Sequence, residues 1–73
     1  MRSLPFPVQV TVNGQPRELP DGATIRALLE DLGLAKAICA AEVNKQVIPK
    51  REHESKALQA GDHVEIVTLV GGG

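Results

Sequence analysis

The ten residues VEIVTLVGGG, at positions 64–73, hold the one arrangement in this chain that sets up an unusual reactive group. An apolar, strand-like run gives way to Gly71, Gly72 and Gly73, which places a bare carboxylate on Gly73. Such a tail is either a frayed terminus, as chain ends often are, or the group that reacts. The choice depends on what the other side chains can do.

They offer little chemistry. Cys39 lies between Ile38 and Ala40, with no neighbouring base or helix N-terminus to favour its thiolate, so it reads as a small buried hydrophobe. His53, His63 and Cys39 have no ligand-type spacing, and an iron-sulfur centre would require four cysteines. Both histidines are expected at exposed strand-end or loop positions. Glu52 and Glu54 flank His53 in a polar stretch with no pocket to tune an acid and base pair. The glycines of the tail have no helix after them, so they cannot form a phosphate-cradling loop. By elimination, the tail is the remaining feature with chemical potential.

Composition removes whole classes of partner. Eight basic and nine acidic side chains give a net charge of −1, and the basic residues are scattered, which is no footprint for a phosphate backbone. Phe6 is the lone aromatic residue, so there is no stacking platform for single strands. No nucleic acid and no membrane partner is expected, since no apolar run is long enough to span a bilayer or serve as a secretory signal. A single cysteine permits no intrachain disulfide and points to the reducing cytoplasm. At 73 residues and 42% hydrophobic content, the expectation is one folded domain over residues 1–73 with a flexible tail at 71–73.

The elements that would position the tail are legible from periodicity. Val8, Val10 and Val12 alternate with polar residues as a first strand, and Asn13-Gly14 is a two-residue hairpin signal. A second strand runs back through Arg17 to Leu19, with Pro16 confining it to a sheet edge. After Pro20-Asp21-Gly22, Thr24 is an N-cap candidate for a helix whose stripe is Ile25, Leu28, Leu29 and Leu32, stopped by Gly33. Ile38 to Val43 reads as a third strand and Gln46 to Ile48 as a short fourth. Lys50 to Gln59 is a polar connection anchored by Leu58, and His63 to Val70 is the longest strand. A hairpin, a helix and further strands make an α+β fold, with one mixed sheet of four to five strands packed against a single main helix. That is the β-grasp, or ubiquitin-like, roll, and its last strand can lie centrally beside the first.

Along that last strand, Val64, Ile66 and Val70 share a face with Thr68 and should meet the helix. Val67 and Leu69 then point to the wet outer face, where they read either as incidental exposed residues or as a docking patch for another protein.

With these elements in place, the chain resembles the sulfur carrier proteins of thiamine biosynthesis, the ThiS type. The resemblance rests on the turn segment NKQVIP (Asn44 to Pro49), the strand entry GDHVEI (Gly61 to Ile66) and the VGGG end, and it extends over nearly the whole chain. An extension, Met1 to Pro7, precedes the point where such carriers begin. The resemblance implies a carrier and co-substrate without catalytic activity of its own and without a bound cofactor. An E1-like activating enzyme of the ThiF type, using ATP and Mg, would adenylate the Gly73 carboxylate. A sulfur donor such as a cysteine desulfurase would convert it to a thiocarboxylate, and a ThiG-type thiazole synthase would take the sulfur. Gly71 and Gly72, lacking Cβ atoms, suit threading into a narrow channel, and at ~3.3–3.6 Å per extended residue the three glycines reach about 10 Å. Sulfur carriage for molybdopterin or another product, a ubiquitin-like modifier and a plain protein-binding module remain as alternatives.

Overall fold

The computed structural model describes residues 7–69. Most of the extension expected at Met1 to Pro7, together with Val70 and the tail Gly71 to Gly73, therefore lies outside the described residues. Five strands and one helix follow in the order β1 (Val8–Val12), β2 (Gln15–Leu19), α1 (Ile25–Asp31), β3 (Cys39–Val43), β4 (Gln46–Ile48) and β5 (His63–Thr68), with a short 3-10 turn at Lys50–Glu52. The strands form one sheet in the spatial order β2-β1-β5-β3-β4. β5 runs parallel to β1 and antiparallel to β3, so the sheet is mixed and its last strand is central. This is the β-grasp arrangement expected from the sequence.

Local chemistry explains the elements. Asn13 and Gly14 have φ of 50° and 82°, the left-handed pair that a type I′ turn requires. Pro16 faces Thr11 on β2, an edge strand, where a missing N–H costs no ladder bond. The Thr24 hydroxyl accepts from Ala27 N–H at 3.1 Å, an N-cap worth ~1 kcal/mol. At the other end, Gly33 takes φ of 78°, its N–H reaches Glu30 O, and Leu34 N–H reaches Leu29 O. That paired closure is the Schellman stop.

The core forms between α1 and the inner sheet face. Ile25, Leu28 and Leu29 from the helix meet Val10, Val12, Ala41, Val43, Val64 and Ile66 from the strands, with Leu19 and Leu58 closing the ends. Leu32, the last member of the expected stripe, is only partly buried, because α1 stops at Asp31. Cys39 is likewise partly buried against the core. Leu58 is pinned by its N–H to Ala23 O at 2.8 Å, which draws the polar connection over the helix end.

His53 departs from expectation. It is not exposed but buried, at 5% exposure. The 3-10 turn ends at this residue and folds the ring inward, where Nε2 donates to Ile48 O at 3.1 Å. His53 O also accepts from Arg26 N–H at 2.8 Å. The ring thus has a structural role as a satisfied bridge between the connection, β4 and α1. His63 is exposed at the start of β5, as expected.

Candidate functional site

Alternation along β5 separates two tasks. Val64 and Ile66 point into the core, whereas Glu65, Val67 and Leu69 lie on the other side. Register then decides which residues of the neighbouring strands join them. Val67 stands opposite Ala40, Glu65 opposite Glu42, and Glu42 opposite Val47. The Leu69 N–H bonds Ile38 O at 2.7 Å, so the pairing continues one step past Thr68.

The outcome is a concentration of apolar surface. The exposed large hydrophobic residues among those described are Ile38, Val47, Val67 and Leu69, at 57%, 69%, 56% and 50% exposure, and the register brings all four to the outer face of β3, β4 and β5. A shallow hollow between Val47 and Val67 is lined also by Ala40, Ala41, Glu42, Lys45 and Glu65. Scattered apolar residues need no explanation, but a set gathered on one face does.

The charge on this face is also specific. Glu42 and Glu65 sit directly opposite each other on adjacent strands, an arrangement that costs stability between like charges. Neither enters an ion pair among the described residues, where the pairs are Arg17 with Asp31, and Arg26 with both Glu30 and Glu54. With Lys45 also lining the hollow, the face combines exposed aliphatic side chains with charges of both signs, which a partner would meet with apolar and charged residues of its own.

The structure separates the remaining candidates from this face. Cys39 faces Thr68 across β3 and β5 but belongs to the inner side. Glu54 is engaged by Arg26 at 3.2 Å. Gly71, Gly72 and Gly73 lie outside the described residues, and the last described residues of β5 lead toward them. Ile38 and Val47 were not singled out from the sequence. Ile38 sits just before β3 in an apolar run, and Val47 occupies a three-residue strand too short to display alternation, so only the sheet register reveals their side.

The model of the ThiS family matches residues 10–73. The chain is 36% identical over 64 residues to the "Sulfur carrier protein ThiS" of Thermus thermophilus, covering 88% of this chain and 98% of that protein. It is 35% identical over 66 residues to the "Thiazole synthase" of Paramagnetospirillum magneticum, covering 90% of this chain but spanning only 20% of the length of that relative. Among solved structures, a thiamine biosynthesis protein (ThiS) from Geobacter metallireducens superposes with a TM-score of 0.75 at 29% identity, covering 90% of this chain and all of the other.

Proposed function

The chain belongs to the ThiS family, and from that premise we propose that it is a sulfur carrier of thiamine biosynthesis whose reactive group is the Gly73 carboxylate. A ThiF-type, E1-like enzyme uses ATP and Mg to join that carboxylate to AMP with release of pyrophosphate. The acyl carbon then carries a good leaving group; the persulfide of a sulfur donor such as a cysteine desulfurase attacks it and expels AMP. A second thiol cleaves the resulting acyl disulfide, forming a disulfide with the donor's cysteine and leaving the thiocarboxylate. A ThiG-type thiazole synthase accepts the sulfur. The work takes place in the cytoplasm, where one free cysteine is unremarkable.

The observation that carries this reading is the outer face itself. Ile38, Val47, Val67 and Leu69 gather on one face beside Glu42 and Glu65, and this face includes Val67 of β5, the strand that precedes the three glycines. A carrier has to dock by its body while its end enters another protein's site, and this face supports the first requirement. The likeness to thiazole synthases favours thiazole over molybdopterin as the product.

Intact-protein mass spectrometry after incubation with a ThiF-type enzyme, MgATP and a sulfur donor tests the chemistry. Replacement of one oxygen by one sulfur is expected, and a mass that never changes would overturn the reading. Docking has its own test. Val67 is half-exposed and makes no core contact, so Val67→Asp is expected to leave the thermal midpoint nearly unchanged. As a charge at the centre of the apolar face, it should lower kcat/KM for adenylation by at least about tenfold, the size of an interface hot spot. An unchanged kcat/KM would remove this face from the docking role.

A further inference from the structure

β1 pairs with β5 over a short distance, with Thr11 opposite His63 and Val12 opposite Val64. The ladder bonds advance by two residues at a time: Thr11 N–H to Asp62 O, then Asn13 N–H to Val64 O, both at 2.9 Å. The next bond in this series would run from the N–H of residue 15 to Ile66 O. It does not form, because the chain turns at Asn13-Gly14 and Gln15 has already entered β2. From Ile66 onward, β5 would be held by β3 alone.

The Asn13 side chain occupies the vacant step. Its Nδ2 donates to Ile66 O at 3.1 Å, and its Oδ1 accepts from Ile66 N–H at 2.8 Å, across a sequence separation of 53. A carboxamide has the same donor and acceptor pair as a peptide group, so this side chain stands in for one more peptide unit of β1. We propose that Asn13 is a positioning residue for sulfur-carrier activation, its amide clamping β5 at Ile66 so that Val67 and Leu69 are held ready for the activating enzyme.

This inference rests on the carrier reading for its functional consequence, though the clamp itself does not. The residues that dock begin one position after the clamped peptide. If the end of β5 frays, only a fraction of molecules presents the docking face, and apparent affinity falls by that fraction. Once docked, β5 is ordered again by the partner, so the chemical step should proceed at its normal rate. A lost clamp therefore raises KM and spares kcat.

Two variants separate this from simple destabilisation. Asn13→Gly removes the amide while tolerating the positive φ of 50°. Asn13→Asp keeps the shape but sets an oxygen against Ile66 O. In Asn13→Gly, amide exchange at Ile66 is expected to quicken by about 10- to 100-fold from loss of the pair of bonds, with a smaller rise in Asn13→Asp, whose Oδ1 still accepts from Ile66 N–H, while Leu28 and Val43 amides remain slow. The KM of a ThiF-type enzyme for the carrier should rise by about twofold in Asn13→Gly, with kcat unchanged. Unaltered exchange at Ile66 would overturn the clamp, and faster exchange with unaltered KM would overturn its role in docking. A wild-type chain that is never adenylated would instead sink the carrier reading, leaving the exchange measurement to decide the clamp.

Discussion

Gly72→Val is expected to abolish adenylation of the carrier while leaving its fold intact. The argument is steric. A terminal carboxylate that reaches a nucleotide inside another protein must pass its last residues through a space shaped for backbone alone, and a branched side chain both widens the segment and restricts φ. Misplacement of the reacting carbon by ~1 Å can cost about 100-fold in rate, so a loss of at least that size in kcat is the expected result. The thermal midpoint should stay within about 4 °C, because the buried apolar residues that hold the described structure run from Val10 to Ile66. Gly72→Ala, with only a Cβ added, should fall between the two. Full activity in Gly72→Val would defeat the threading argument, and loss of kcat here against loss of affinity in the Asn13 variants would distinguish delivery from docking.

Leu28→Ala is expected to remove much of the stability of the molecule. Leu28 lies on the core stripe of α1 and is completely buried, at 0% exposure. Truncating such a leucine costs the transfer energy of three carbon-bearing groups and leaves a cavity, typically about 3–4 kcal/mol. Stability scales with length at ~0.05–0.15 kcal/mol per residue, so a chain of 73 residues holds roughly 4–11 kcal/mol in all. One substitution therefore takes about a quarter or more of the total. Urea unfolding checks it: the midpoint should fall sharply with little change in slope, whereas a small shift would mean that the sheet and helix close over the gap.

The fold was legible wherever the deciding forces are local. Asn13-Gly14 specifies its hairpin, Thr24 and Gly33 bound the helix, and the 3.6-residue stripe tells the helix which side to bury. Pro16 even located β2 at an edge. What could not be read was whatever depends on strands meeting across the chain. His53 looked like part of a polar loop because its neighbours are charged, yet the 3-10 turn directs its ring to a carbonyl on β4. Ile38 and Val47 acquire their shared face only through the register of β3 with β4 and β5. Asn13 read correctly as a turn residue, but the task of its side chain lies 53 residues away. Of the candidate site, Val67 and Leu69 were visible from alternation, while the rest of the apolar face and its facing glutamates emerged from pairing.

The central position of β5 also bears on how the molecule is made. The β1-β2 hairpin and the β3-β4 hairpin are joined within the sheet through β5, and Val64 and Ile66 bring it into the same core. Until residues 63–68 leave the ribosome, the growing chain is two hairpins and a seven-residue helix without a common interior, each too small to persist alone. Folding must wait for these late, long-range contacts. A product cut short before β5 therefore stays open to proteases, and a molecule that has folded has already acquired its central strand. Folding is thus coupled to synthesis of β5, the strand that ties the two hairpins together.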